Sequence, residues 1–177
     1  MRHIAGDLVI RTAADAAAYA DVTSVGGSLY IRAEASLPVL TSVGGTLYIC
    51  AEASLSVLTS VGGTLEIRAE ASLPVLTSVG GHAVATGDVA FARIRAVHDA
   101  VCASPKALNM GLWHDCDTTH CIAGWGIHLA GEDGYALEQQ TSSAAAGVIL
   151  LGVDAAKLFF MPETKARAGL AKLAGAA

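Results

Sequence analysis

The feature that most constrains this chain is a repeat. "TSVGGSLYIRAEASLPVL" begins at Thr23, "TSVGGTLYICAEASLSVL" at Thr41 and "TSVGGTLEIRAEASLPVL" at Thr59, and a further "TSVGG" opens at Thr77. The period is 18 residues. A degenerate copy, "IAGDLVIR" at Ile4–Arg11, stands 21 residues before its counterpart at Val25, so one connection carries a small insertion. A unit this short cannot bury its own apolar face, and stacked copies build one continuous core, which is the logic of a solenoid. About five coils are expected, ending near Thr86.

Within a coil the side chains alternate. Leu47 and Ile49 are expected to point inward, with Thr46 and Tyr48 outward. Leu55, Leu58 and Val61 then supply the return side. Each glycine pair, such as Gly44–Gly45, sits just before a strand, where it is expected to supply the positive φ of a tight corner. Two cross-sections fit: a coil with L-x-I followed by L-x-x-L-x-x-V, and a three-sided β-helix with six-residue faces. The hexad Val43, Ile49, Leu55, Val61 serves the second.

The L-x-I and L-x-x-L pattern of residues 4–86 resembles leucine-rich repeats and receptor L domains. It departs from them in its short coil and in lacking their usual Asn. Leu29, Leu47 and Leu65 would sit awkwardly in the small-residue slots of a hexapeptide helix, which favours the first cross-section. The expected fold class is therefore a β-solenoid of short leucine-rich-repeat-like coils (1–86), followed by a small α-helical domain (87–177).

Stacking aligns equivalent side chains in columns about 4.8 Å apart. Glu34, Glu52 and Glu70 make one column, and Arg32, Cys50 and Arg68 its neighbour. Such columns serve either as a solvated face or as a groove for a cation or partner. Arg32, Glu34, Glu52, Arg68 and Glu70 are the candidate partner surface. Cys50 stands in an arginine column and is expected to carry an accessible thiol.

From Gly87 the repeat gives way to helical periodicity. Asp88 is expected to cap a helix over 89–102, with Phe91, Ile94, Val97 and Val101 on one stripe, covering the open end of the solenoid. Further helices are expected near 119–130, 134–151, 154–160 and 163–174. Gly131 and Gly152 sit where helices should stop, Asp154 where the next should be capped, and Pro162 where the "LFFM" segment should end.

The chemistry concentrates in Trp113–His128, "WHDCDTTHCIAGWGIH". With Thr118 or Thr119 as N-cap, Cys121 falls in the first turn of a helix, where the helix dipole would lower its thiol pKa. His128 follows two turns along the same face. The small residues Ala123, Gly124 and Gly126 leave room for another helix or a ligand. Cys116 and Cys121 admit four roles: buried structural thiols, a local disulfide, zinc ligands with His114 and either His120 or His128, or a nucleophile at Cys121 with His128, His120 or the distant His98 as base. The candidate metal set is His114, Cys116, Cys121 and His128, and the candidate catalytic pair is Cys121 and His128. Zinc is the one cofactor the stretch admits; otherwise none is expected. Trp113, Trp125, Phe159 and Phe160 read as core.

"CDTTHCIAGW", then "HLAG" and "LLGVDAAKLFF", resembles a group of small proteins of phages and of actinobacterial and proteobacterial genomes with the pattern C-G-T-x-x-C-x-A-G-W. The matching positions are Cys116, Thr118, Cys121, Ala123, Gly124, Trp125, Leu129, Gly131, Leu151, Gly152, Leu158 and Phe159; Asp117 replaces the usual Gly. The resemblance covers residues 107–162 and implies a domain and phage or prophage company, not a mechanism.

Composition narrows the partners. Hydrophobic residues make up 53% of the chain and charged residues 15%, ample for a core. The net charge is −5 and no Lys/Arg cluster occurs, so nucleic acid is not an expected partner. No apolar run is long enough to span a membrane, and "MRHIAGDLVIR" lacks a signal-peptide core. The expectation is a cytoplasmic or virion-associated chain with reduced thiols. Function is expected to be non-catalytic, a binding or assembly module offering a solenoid surface to a protein partner or to itself. The alternative is a Cys/His metal site or cysteine-dependent enzyme in the helical half.

Overall fold

The computed structural model describes residues 1–176, with Asp115 described by its backbone alone. The chain forms two compact units, Met1–Ala83 and Val84–Ala177.

The first unit is a β-solenoid of about four turns whose strands lie in three parallel sheets. One sheet orders β1 (Arg2–Ile4), β3 (Val22–Val25), β6 (Ser42–Val43), β9 (Ser60–Val61) and β12 (Ser78–Val79). A second stacks β2 (Leu8–Ile10), β4 (Leu29–Ile31), β7 (Leu47–Ile49) and β10 (Leu65–Ile67), and a third β5 (Ala35–Ser36), β8 (Ala53–Ser54) and β11 (Ala71–Ser72). Register follows the repeat, Leu29 on Leu47 and Ile31 on Ile49. Each coil therefore carries three short strands while keeping the L-x-I and L-x-x-L pattern of its interior.

That interior matches the expected alternation. Val43, Leu47, Ile49, Ala53, Leu55 and Leu58 are buried, as are their equivalents one coil before and after. Each fully buried Leu or Ile contributes about 1.5–3 kcal/mol, a gain available only once neighbouring coils are stacked. Threonine hydroxyls bind coil to coil: Thr41 Oγ1 donates to the Thr23 carbonyl at 2.8 Å and Thr59 Oγ1 to Thr41 at 3.0 Å.

The glycine pairs work differently from expectation. Positive φ occurs only in the last pair, Gly80 and Gly81, among the described repeat glycines. In the earlier pairs a Cβ would strike the preceding coil: at Gly26 it would meet the Ala5 carbonyl oxygen at 2.6 Å, and at Gly44 and Gly62 it would overlap the oxygens of Gly26 and Gly44. These glycines permit close backbone stacking. The positive φ of Gly80 and Gly81 instead turns the chain back, so that β13 (His82–Ala83) pairs antiparallel with β12. That reversal ends the repeat after about four turns rather than the expected five.

The insertion in the first interval is α1 (Ala13–Ala18), a short helix closed by a capping box in which Thr12 and Asp15 exchange hydrogen bonds. It packs on β2 and β5. Asp7 takes the place of the Ser28 hydroxyl at the start of this ladder: Ser28 N donates to Asp7 Oδ1 at 2.6 Å, and Thr46 N to Ser28 Oγ at 3.1 Å.

The second unit contains α2 (Gly87–Cys102), the hairpin β14 (His114–Cys116) and β15 (Thr119–His120), then α3 (Ile122–Leu129), α4 (Gly131–Gln140), α5 (Ser143–Leu151), α6 (Val153–Ala156) and α7 (Glu163–Leu173). Several boundaries differ from the sequence reading. Thr86, not Asp88, is the N-cap of α2, and Ala90 replaces Phe91 on its buried stripe, leaving Phe91 exposed. Thr118 and Thr119 do not cap α3, because the hairpin takes Thr119 and His120 as a strand; Cys121 is the N-cap. The helix expected over 134–151 breaks at Thr141–Ser142, where Ser142 caps α5 by accepting from Ala145 N. Asp154 lies in the first turn of α6 rather than capping it, and Pro162 is the N-cap of α7. Gly131 and Gly152 do interrupt the helices, with φ of 64° and 83°. No helix among the described residues is long and apolar enough to cross a membrane.

Candidate functional site

Two regions hold the candidate residues, one on each unit. On the solenoid, Arg32, Glu34, Glu52, Arg68 and Glu70 are all exposed. Among the described residues, none of these five enters an ion pair. The columns follow the backbone ladder: Cys50 N donates to the Ile31 carbonyl and Arg68 N to Ile49, each at 2.8 Å. Beside the arginine column, Tyr30 and Tyr48 stack with ring centroids 4.7 Å apart and planes within 5°. Glu66 stands in that aromatic column one coil on, by the register of Glu66 with Tyr48.

In the helical unit, the site grows from the cap of α3. Cys121 accepts the Gly124 N–H on its thiol at 3.3 Å, which starts the helix and sets Trp125 and His128 one and two turns on. Gly124 has no room for a Cβ beneath the Trp113 carbonyl, so the helix lies close under the hairpin. Gly131 turns the chain into α4. Gly134 then lets α4 approach the Ile127 carbonyl, where any side chain would collide. This close return brings Tyr135 and Glu138 toward the histidines. The small residues of α3 receive α5 as expected: Gly147 faces the Ala123 Cβ, and Gly126 faces Leu151.

The result is a cluster of three imidazoles. His114 and His120, opposite each other on the hairpin, bring their Nδ1 atoms to 3.0 Å. His114 Nε2 lies 3.1 Å from Glu138 Oε1, and Ser143 Oγ donates to the same oxygen at 2.5 Å. The His128 ring stacks on His120 at 4.6 Å, and its Nδ1 lies 2.8 Å from the Tyr135 hydroxyl. Trp125 sets its ring at 79° to that of His120 and donates Nε1–H to the Ala107 carbonyl at 2.6 Å. The same carbonyl accepts His120 N–H at 3.2 Å.

Valence assigns the protons. An ionised Glu138 only accepts, so His114 Nε2 carries a hydrogen. Neutral His114 then offers a bare Nδ1, which His120 Nδ1–H fills. His120 Nε2 is left as a buried lone pair, with no hydrogen-bond partner among the described residues. His120 is only 2% exposed, and burial, then the charges of His128 and His114, hold its pKa below the ordinary 6.5; Asp117 pulls the other way.

The cysteines depart from expectation. Cys121 is buried, and desolvation pushes its thiol up to about 11, outweighing the backbone N–H groups that favour the thiolate. Cys121 lines an apolar cleft of about 260 Å³ with Trp113, Phe159 and Phe160. Cys116 is exposed, with Thr118 Oγ1 at 3.4 Å. Cys50, Cys102 and Cys121 are free thiols. His98 lies on α2 with Cys102 at 3.5 Å, paired within its own helix rather than with Cys121. Among the described residues, no three His, Cys, Asp or Glu side chains are grouped to hold a metal. The His114 and His120 rings of the hairpin meet each other, while the Cys121 thiol accepts a hydrogen bond at the helix cap.

Glu138, Tyr135 and Ser143 escaped the sequence reading. Tyr135 and Glu138 are three apart on one helix face, the available signal, but only the Gly131 turn aims that face at the histidines.

No protein-family model matches the chain, and no curated protein or solved structure is found similar to it. Its class rests on architecture: a short-coil β-solenoid joined to a small helical unit.

Proposed function

We propose that the chain is a non-catalytic binding module whose solenoid presents a repeated charged face to a protein partner. The observation that carries this reading is the set of exposed columns. Arg32 and Arg68 stand two coils apart on one side, and Glu34, Glu52 and Glu70 recur in successive coils on the other, without ion pairs among the described residues. Charges left uncompensated at a fixed interval favour a partner of matching periodicity, and rim charges of this kind set encounter rate and register. The stacked pair Tyr30–Tyr48 adds a rigid aromatic element beside them. The resemblance of residues 107–162 to phage proteins supports an accessory or virion-associated assembly role. The cysteine-dependent alternative finds little in the geometry, since Cys121 is buried and holds its proton.

The test is photocrosslinking. A benzophenone amino acid replaces Tyr48, or Ser60 on another sheet as control, in extract of the cells that make the chain. The reading expects a discrete adduct from position 48 that disappears with Glu34→Lys, Glu52→Lys and Glu70→Lys combined. An adduct of twice the chain mass would identify the partner as a second copy. Adducts indifferent to the charge reversal, or equal from both positions, would defeat the reading.

A further inference from the structure

A third group of side chains, on α2, belongs neither to the solenoid face nor to the imidazole cluster. We propose that Cys102, His98 and Asp99 form a modification site at which the Cys102 thiol exchanges with a small disulfide from solution.

Spacing and geometry put three roles in order. His98 and Cys102 are four residues apart on one helix, so their side chains share a face. Cys102 Sγ lies 3.5 Å from His98 Nε2, and His98 Nδ1 lies 3.4 Å from Asp99 Oδ1. An ionised Asp99 only accepts, so His98 Nδ1 carries the ring hydrogen and Nε2 presents its lone pair to the thiol. The set is a nucleophile, a base within reach of its proton, and a carboxylate that fixes the tautomer of the base. Cys102 is exposed, so a dissolved reagent reaches the sulfur. The C-terminus of a helix opposes negative charge there. Arg167 of α7 meets that end of α2, donating to the Val101 carbonyl at 3.4 Å and the Pro105 carbonyl at 2.8 Å while paired with Glu163.

The surroundings select the reagent. Acyl transfer needs N–H donors for an oxyanion, and the N–H that follows the thiol, that of Ala103, is spent on the Asp99 and Ala100 carbonyls at 3.1 and 3.2 Å. Thiol–disulfide exchange develops no oxyanion. Cys102 Sγ attacks one sulfur of the disulfide as its proton passes to His98 Nε2. A new S–S bond forms and the old one breaks. The electron pair of the old bond leaves on the second sulfur, which takes the proton back from His98. The products are a mixed disulfide at Cys102 and one small free thiol; the Cys102 sulfur is oxidised and the departing sulfur reduced. The same step run backwards by excess small thiol restores Cys102, so the cap is reversible.

The experiment treats the native full chain with oxidised glutathione at about pH 7, where an ordinary thiol is only a few per cent thiolate. Samples are quenched in acid at intervals and the adducts located by peptide mass mapping. Cys50, exposed on the solenoid, is the internal comparison. Cys102 is expected to react about tenfold faster than Cys50, since a base that takes the proton removes most of the deficit of thiolate. In His98→Asn it should fall to the Cys50 rate while Cys50 itself is unchanged. Denaturing the unaltered chain should abolish the lead, because the pairing exists only on the helix. Equal rates in the native chain would overturn the proposal, as would a lead that survives either His98→Asn or denaturation. If His98→Asn does not fold, the native and denatured rates of the unaltered chain decide. Crosslinking from position 48 reads the other unit, so the two proposals fail separately.

Discussion

The Nδ1 atoms of His114 and His120 face each other at 3.0 Å across the hairpin, and the far nitrogen of His114 is anchored 3.1 Å from Glu138. The shared hydrogen is directional only because Glu138 fixes the tautomer of His114. Removing the carboxylate leaves His114 Nε2–H and the Ser143 hydroxyl without their acceptor. Glu138→Ala is expected to cost about 1–3 kcal/mol, read as a lower urea midpoint with unchanged slope. Glu138→Gln keeps a carbonyl oxygen for the same donors and should lose less. An unchanged midpoint in the alanine variant would show that the anchor contributes nothing.

The stacking role assigned to the repeat glycines separates two substitutions that the sequence treats alike. A Cβ at Gly44 overlaps the Gly26 carbonyl, whereas at Gly6 it meets nothing within 4 Å, and neither residue has positive φ. Gly44→Ala must push two coils apart and is expected to cost about 1–3 kcal/mol or more. Gly6→Ala should stay within about 0.5 kcal/mol of the parent. Thermal melts of the two variants decide it. Equal and small effects would mean that the coils are not in backbone contact at the glycine pairs.

Burial of Cys121 makes a kinetic prediction. Cys50, Cys102 and Cys116 are exposed, and Cys121 is buried with its thiol at about 11. At pH 8 roughly one Cys121 in a thousand is thiolate, so a thiol reagent should find three fast groups in the native chain and four after denaturation. Among the described residues no three such side chains group to hold a metal, and native mass spectra of protein purified without chelator are expected to show no zinc. A fast fourth thiol would contradict the burial. A zinc adduct lost in Cys121→Ser would restore the mixed Cys/His set.

The solenoid interior was readable because one alternation is written several times; Leu47, Ile49, Leu55 and Leu58 each have copies that cannot all mislead. The purpose of Gly44 was not readable, because glycine marks positive φ and close approach with the same letter. The extra residues before Val25 announced an insertion, but that it forms α1 depends on the Thr12–Asp15 box, a short-range contact easily passed over. The histidines lay in a single stretch and drew notice for that reason. Glu138 and Tyr135 did not, because their place depends on the Gly131 turn and on the absence of a side chain at Gly134. For Cys121 the local signal, a helix start, pointed to a lower pKa, while the deciding quantity was burial by residues distant in sequence.

The carboxylate column offers the last prediction. Glu34, Glu52 and Glu70 repeat at coil spacing, about 4.8 Å by the strand separation, and none has an ion-pair partner among the described residues. Glu52 is the middle member and feels both neighbours. Exposed charges this close repel modestly in water, and the repulsion is screened as ionic strength rises. Glu52→Gln is therefore expected to raise the melting temperature slightly at low salt, and the difference should vanish near about 1 M salt, where the Debye length falls to ~3 Å. Glu34→Gln, at the end of the column, should give a smaller shift. A Glu52→Gln effect that persists at high salt would arise from packing or hydrogen bonding instead. No effect at low salt would mean that the carboxylates splay apart, and that the face meets a partner as separate charges rather than as a column.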